Sequence, residues 1–272
     1  EILKKQDHEK PTLVLLENVN GWLTSNNGDD FRLTIKALNS LGYACDVISL
    51  DAIRFTPQSR PRVFVFGMQI DHPNQDALRL IRRPESIATK TLKNTLESNF
   101  DLNWHILEIP EPPSAKKSGL SKIVEFLQDD DERWWSHEQV SKHLEMMHDT
   151  HRIRILNHID DKNFTFRTMY RRVRKGKQRA EVRANDTAGC LRTARGGSSR
   201  QMVVQIGKGE VKMRHMTPRE YARLQGVPDD YPISLGINQS LTGFGDAVCV
   251  PVITWIAQNI LNPLANQLLV NK

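Results

Sequence analysis

Cysteine is scarce in this chain of 272 residues: Cys45, Cys190 and Cys249 are the whole complement. They lie far apart and form no Cys-x-x-Cys pair, which argues against a disulfide framework or a zinc site and fits a reducing cytoplasm. No metal site is expected. Long hydrophobic runs are missing too, so no membrane-spanning stretch is expected, and Glu1-Ile2-Leu3-Lys4-Lys5 is not organised as a signal peptide. An initiating Met is also lacking. The first residues read as the tail of a helix already under way, so a processed, truncated or subunit-like polypeptide is expected.

What is present is ordinary for a soluble globular protein: 39% apolar and 26% charged residues, in a length sufficient for about two domains. The net charge of +6 permits a nucleic-acid partner without demanding one. Its distribution says more. Arg167, Arg171, Arg172, Arg174, Lys175, Lys177, Arg179, Arg183, Arg192 and Arg195 crowd one stretch with few acids, whereas residues 129–132 are acidic.

Residues 11–70 read as α/β. An apolar run at 12–16 predicts a buried strand, and Phe31, Ile35 and Leu38 share one face of a helix that ends near Gly42. Residues 43–50 and 62–68 are further strands. Three strands are too few for a complete doubly wound sheet, so the sheet is expected to be partial or completed by another chain. Beyond Asp71 the pattern loosens: a proline loop at Pro110, Pro112 and Pro113, a helix at 120–127, and a capping box at Ser136 opening a helix through Val140, Leu144 and Met147. Residues 164–183 alternate aromatic and cationic side chains, as exposed strands or a hairpin would. Residues 189–201 are a Gly- and Ser-rich loop. Thr217-Pro218-Arg219-Glu220 opens another helix, and a last one runs from about Val250 to Leu261.

The first strand delivers a carboxylate and an amide, Glu17 and Asn18, at the end where open α/β sheets place ligand chemistry. Alone, these residues read as a loop cap, Arg60 and Arg62 read as a solvated rim or a structural ion pair, and the basic stretch reads as a solvated face. The order of the motifs changes that weighting. Leu16-Glu17-Asn18-Val19, Gln58-Ser59-Arg60-Pro61-Arg62, Thr217-Pro218-Arg219-Glu220 with Leu224-Gln225-Gly226, and Gly245-Asp246-Ala247-Val248 resemble, in order, motifs of the DNA cytosine-5 methyltransferase family.

That resemblance implies an α/β fold: a partial S-adenosylmethionine-dependent, Rossmann-like methyltransferase sheet with an inserted, smaller target-recognition domain. Residues 1–75 would supply catalytic strands, 76–205 the recognition region and 206–272 the closing helices. It implies transfer of a methyl group from S-adenosyl-L-methionine to C5 of a cytosine flipped out of double-stranded DNA, in restriction–modification and at the bacterial nucleoid. Glu17 would contact the base at N3, Arg62 at O2, with Arg60 supporting the same pocket and Asn18 holding the loop. Asp246, Ala247 and Val248 would lie beside the cofactor; many members carry Asn at the position of Asp246. Arg171, Arg172, Arg174, Arg192, Gly196, Gly197, Ser198 and Arg200 would track phosphates. Pro218-Arg219-Glu220 and Arg223 would carry structure rather than chemistry.

Two features of the family have no match here: the Phe-x-Gly-x-Gly loop and a Pro-Cys dipeptide carrying the nucleophile. All three cysteines read as ordinary thiols. The chain alone is therefore expected to be inactive, with the N-terminal half of the enzyme supplied by the same gene or a separate subunit. A non-catalytic DNA-binding relative and a tRNA cytosine-5 methyltransferase are the alternatives.

Overall fold

Three strands rich in β-branched and aromatic residues build the first sheet in a computed structural model that describes residues 2–5, 10–76, 82–192 and 200–270. The chain divides into two units, one of residues 1–51, 61–113 and 254–272, the other of residues 52–60 and 114–253. Neither follows three consecutive segments. The expected boundary at 75/76 falls inside the first unit, and the expected closing segment is shared between the two.

The first unit opens with a short helical turn, α1 (Ile2–Lys5), and β1 (Leu13–Val19). It continues through a 3-10 segment, α2 (Asp29–Ser40), β2 (Ala44–Asp51), β3 (Pro61–Met68) and α3 (Lys90–Glu97). The strand order is β1-β3-β2, with β3 antiparallel to both neighbours. Seven of the eight residues of β2 are buried, as in a strand covered on both faces. Spacing explains α2: Phe31, Ile35 and Leu38 fall on one face and pack with Tyr43, Val47, Val65, Leu92 and Trp104. Each such side chain contributes roughly 1.5–3 kcal/mol on burial. Gly42, at φ +91°, lets the chain leave the helix and enter β2.

One charged pair lies inside this unit. Asp46, fully buried on β2, accepts from both terminal nitrogens of Arg83 at 2.7 and 2.6 Å and from the Leu107 N–H at 2.9 Å. Arg83 also donates to the Val47 and Leu107 carbonyls. The pair is tolerated because all these groups find partners.

The second unit is built on a four-stranded antiparallel sheet, order β5-β4-β6-β7. Its strands are β4 (Thr165–Arg174), β5 (Lys177–Val182), β6 (Met202–Gly207) and β7 (Glu210–His215). Lys175 and Gly176, at φ +49° and +72°, make the tight turn between β4 and β5, which are the hairpin expected from the alternating pattern. One face of the sheet packs with α4 (His137–Glu145) and α5 (Asp149–Leu156) through Val140, Ile155, Met169, Met202, Val204 and Met213. The other packs Phe166 and Val203 with Tyr221 and Leu224 of α6 (Pro218–Leu224) and Leu241 of α7 (Ile237–Asp246). The expected capping box of Ser136 with Gln139 forms, and Thr217 with Glu220 makes a second one where a helix start was expected.

Glu220 does more than cap. Fully buried, its carboxylate accepts from Arg214 Nη1 and Nη2 at 2.9 and 2.5 Å, from the Thr217 N–H at 2.8 Å and from the Glu125 N–H at 2.8 Å. Arg214, equally buried, also donates to the Glu125 carbonyl. This network corrects the helix expected at 120–127, where the structure has only a 3-10 turn, Leu120–Lys122. The Glu125 N–H and C=O and the Ile123 carbonyl are bound by Glu220, Arg214 and Arg223, so they are withdrawn from any helical ladder.

Two further expectations are corrected. The first strand extends three residues beyond 16, so Glu17 and Asn18 lie within it rather than after it. The helical run Ile237–Leu268 is long and apolar enough to pass a membrane-span test, although none was expected. Residues 247–249 interrupt its helical ladder, so it is not one continuous helix. The run ends in α8 (Val250–Ile256), a π-turn at Ala257–Leu261 and α9 (Asn262–Val270).

Replacing Glu220 with Ala strands a buried guanidinium. Unfolding in urea, followed by tryptophan fluorescence, should show a loss of about 3–5 kcal/mol. A loss below about 1 kcal/mol would show that the network is not holding this unit.

Candidate functional site

Glu17 and Arg62 meet across neighbouring strands of the first unit. Register pairs Glu17 with Phe64 and Val19 with Arg62, so all four side chains leave the same face and the two charges are diagonal neighbours. Arg62 Nε donates to Glu17 Oε1 at 2.8 Å, and its Nη1 donates to the Pro61 carbonyl at 2.9 Å. The side chains remain 14% (Arg62) and 31% (Glu17) exposed. A pair this accessible stabilises the fold by at most about 1 kcal/mol, too little to explain its placement by stability alone. Chemically it offers a carboxylate acceptor beside a planar donor fork, suited to the edge of a heterocycle that has a ring nitrogen next to a carbonyl.

Asn18 is exposed beside this pair, and its Oδ1 accepts from the Val19 N–H at 2.8 Å. The segment that follows is held by Asn20, whose Oδ1 accepts from Ser49 Oγ at 3.4 Å.

Arg60 belongs to the second unit and is 3% exposed. Its Nη1 donates to the Leu191 carbonyl at 3.0 Å, and its Nη2 to the Gly245 and Ala247 carbonyls at 3.0 and 2.8 Å. Gln58, fully buried two residues earlier, donates to the Leu224 carbonyl at 3.0 Å and accepts from the Leu191 N–H at 3.2 Å. Two side chains of one short segment thus hold three others. Sequence reasoning weighed Arg60 for a base pocket and assigned no role to Gln58. The structure gives both main-chain positioning roles in the second unit, while it brings Arg62 together with Glu17 in the first.

The closing motif is braced from a second direction. Gln225 Nε2 donates to the Phe244 carbonyl at 2.6 Å and the Ala247 carbonyl at 3.2 Å, and the Val250 N–H donates to the Gln225 carbonyl. Gly226, at φ +74°, lies where a Cβ would come within 2.3 Å of Pro251 Cδ, so only glycine fits. Ala247 is half-buried with its carbonyl taken, leaving Asp246 and Val248 exposed.

The basic run divides by strand alternation. Arg172 pairs with Arg179 and Arg174 with Lys177, so these four cations share one exposed face of the β4–β5 hairpin. Arg172 stacks over the Tyr170 ring at 4.8 Å, and Arg174 is bonded to Glu181 at 2.8 Å. Arg171 leaves the opposite face and is half-buried. Arg192 is exposed, and Arg200 is half-buried with Nη2 3.5 Å from the Met216 carbonyl. Lys177 and Arg179 were within reach of sequence reasoning, since the turn between the strands fixes the pairing. Gly196, Gly197 and Ser198 lie outside the described residues.

The cysteines are built as ordinary thiols. Cys45 is buried in β2, and burial pushes its thiol up to about 12. Cys249 is buried 3.8 Å from Thr56 Oγ1, and Cys190 is half-buried with Arg60 Nη1 at 3.5 Å.

Comparison with known structures defines the class first. The chain superimposes on the Dnmt2 methyltransferase of S. pombe with a TM-score of 0.52 at 16% identity, covering 97% of this chain and 72% of that one. The Entamoeba histolytica methyltransferase EhMeth gives a TM-score of 0.50 at 14% identity, over 94% and 64%. The fold is the α/β methyltransferase fold. Residues 1–262 match the C-5 cytosine-specific DNA methylase family, and the chain belongs to that family.

Curated relatives agree with that assignment. Type II methyltransferase M.DsaV of Dactylococcopsis salina is 25% identical over 96% of this chain and 60% of its own length. M1.ScrFI of Lactococcus lactis subsp. cremoris is 26% identical over 97% and 55%. Orphan methyltransferase M.SPBetaI of Bacillus phage SPbeta is 28% identical over 51% and 30%. The chain therefore spans less than two thirds of each of these relatives.

Replacing Arg60 with Met keeps the volume but leaves the carbonyls of Leu191, Gly245 and Ala247 without this donor. A destabilisation of about 2–5 kcal/mol is expected in urea unfolding. Amide exchange of the closing motif should accelerate in the same variant. Unchanged exchange there would refute the positioning role.

Proposed function

We propose that this chain carries the base-binding half of a DNA cytosine-5 methyltransferase, with duplex DNA as substrate and S-adenosyl-L-methionine as methyl donor. One observation carries the reading: the accessible Glu17–Arg62 pair at the end of β1, in a chain of this family. In the proposed reaction a nucleophile adds to C6 of the cytosine, and negative charge develops on the ring toward N3. The Glu17 carboxyl group, hydrogen-bonded at N3, neutralises that charge, and C5 becomes nucleophilic enough to take a methyl group from the sulfonium donor, whose thioether departs; loss of the C5 proton to solvent and elimination of the C6 nucleophile then restore the aromatic base. Arg62 orients Glu17 through Nε, and the base carbonyl O2 is assigned to its guanidinium. Because C5 and C6 are covered in stacked duplex, the cytosine has to leave the helix to reach the pair.

S-adenosyl-L-methionine would supply the electrophilic methyl group. Asp246 and Val248 are the residues of this chain that would hold it, the first at its hydroxyls and the second at its apolar part. The exposed cations Arg172, Arg174, Lys177 and Arg179 support duplex DNA as the partner, because four like charges on one face of a β-ribbon suit a row of phosphates. No Pro-Cys dipeptide occurs in these 272 residues. The proposal therefore assigns the C6 nucleophile to sequence outside them, on the same polypeptide or a separate subunit, and restriction–modification as the setting.

In the enzyme containing both this chain and the Pro-Cys segment, Glu17→Gln should reduce turnover about 10²–10⁴-fold. Affinity for the duplex should change by no more than about threefold, which corresponds to under 1 kcal/mol. Equal losses in turnover and affinity would refute the assignment of Glu17 to the chemistry. The 272-residue chain alone, given labelled S-adenosyl-L-methionine and DNA, should incorporate no label above background.

A further inference from the structure

Positive charge collects at one end of the sheet in the second unit. His215 ends β7 opposite Met202, and Met202 pairs in turn with Met169 of β4. Arg171 lies two residues after Met169, so it shares a face with His215, and Arg200, in the bend before β6, lies close enough to act on the His215 ring. Trp135 packs there with its ring centroid 4.4 Å from that of His143 on α4 and 5.2 Å from that of His215. The face thus has two imidazoles on one indole, next to two guanidinium groups.

Its buried polar atoms are incompletely matched. His143 is 9% exposed; its Nδ1 lies 2.8 Å from the Gln139 carbonyl and so donates, which leaves Nε2 with no partner. His215 Nδ1 and Arg200 Nε are also buried without one. Burial lowers the proton affinity of His215, taking its pKa to about 4, and Arg200, Arg171 and His143 add to the effect. His143 is lowered by burial, with Arg171 and Lys142 contributing. No carboxylate acts on either imidazole. The remaining titratable neighbour, the Tyr221 phenol facing Arg200, is held neutral by burial. Such a site becomes more favourable when an anion enters, because the anion pairs with the Arg200 guanidinium and supplies an acceptor for its orphan Nε–H.

We propose that this cluster is a seat for one backbone phosphate of duplex DNA, contacted by Arg200 and His215 and shaped by Trp135 and His143. It rests on the duplex-DNA reading above and deepens it. Phosphate entry favours the imidazolium form of His215 and makes DNA binding take up a proton. The sign follows: the free imidazole is neutral at pH 7, the bound one holds its proton to higher pH, and affinity rises as pH falls between those two limits.

The test uses the 272-residue chain and a short duplex, with anisotropy measured across salt and pH. For the parent, affinity should tighten about fourfold on lowering the pH from about 8 to 5.5, and the NMR titration midpoint of the His215 ring should rise by about two units or more on saturation with DNA. Arg200→Gln should lower the slope of log K against log salt by about 0.9, the value for one phosphate. His215→Gln should abolish most of the pH dependence. Arg200→Lys keeps the charge and should retain the salt slope, which separates loss of contact from misfolding. Duplex binding with unchanged slope and midpoint would overturn the phosphate seat and leave the DNA reading standing. No duplex binding by the parent chain would overturn both.

Discussion

Four peptide carbonyls and one peptide N–H, drawn from segments more than a hundred residues apart in sequence from their partners, converge on Gln58 and Arg60. Inside a protein each of those groups would cost about 1–3 kcal/mol if left unpaired, so the loops that carry them cannot fold independently of this short segment. A guanidinium suits the task because its planar fork reaches several carbonyls at fixed angles while keeping its charge. The recognition-region segment at Leu191 and the closing motif at Gly245–Ala247 consequently share one anchor. Gln225 and Gly226 repeat the arrangement from the end of α6, and the same Ala247 carbonyl is bound twice. Order in the second unit depends on side chains bonding to main chain, more than on pairs of charges.

Arg60 and Arg62 lie two residues apart, yet the structure uses them differently. Burial separates their roles. At 3% exposure Arg60 spends its donors on peptide groups, whereas Arg62, with a side chain 14% exposed, binds the Glu17 carboxylate. The proposed base-binding role gives this pair a use beyond the small energy that it contributes to the fold. The sequence pattern alone shows both arginines and both strands but not which guanidinium is consumed by the fold, since that depends on Leu191, Gly245 and Ala247 arriving from far along the chain.

That distinction describes how much could be read in advance. Local signals were legible. Phe31, Ile35 and Leu38 announced α2, Ser136–Gln139 and Thr217–Glu220 announced their helices, and alternation of aromatic and basic residues announced the β4–β5 hairpin. The Glu17 and Arg62 positions were legible from motif order, while their diagonal contact needed the register. Illegible features depend on distant partners. Residues 120–127 have helical composition, but Glu220, Arg214 and Arg223 capture their backbone groups. Helix α3 went unread despite its Thr89 cap because its two buried leucines, Leu92 and Leu96, make too short an apolar pattern to stand out.

Two groups of charge on the same sheet show how differently such groups can be built. Arg214 and Glu220 are fully buried and nearly fully satisfied: the carboxylate accepts four hydrogen bonds and the guanidinium is shared with a carbonyl. Such a network fixes α6 against β7 and leaves its carboxylate nothing to offer a ligand. At the sheet end the two imidazoles beside Trp135 meet only cations, and three polar atoms are buried without partners. Both groups involve β7, through the adjacent residues Arg214 and His215, whose side chains alternation sends to opposite faces. If the uncompensated group were an accident of packing, an acid nearby would relieve it at little cost, as Glu181 does for Arg174 on the neighbouring strand. On the proposed reading the charge that compensates Arg200 and His215 is a phosphate of the duplex.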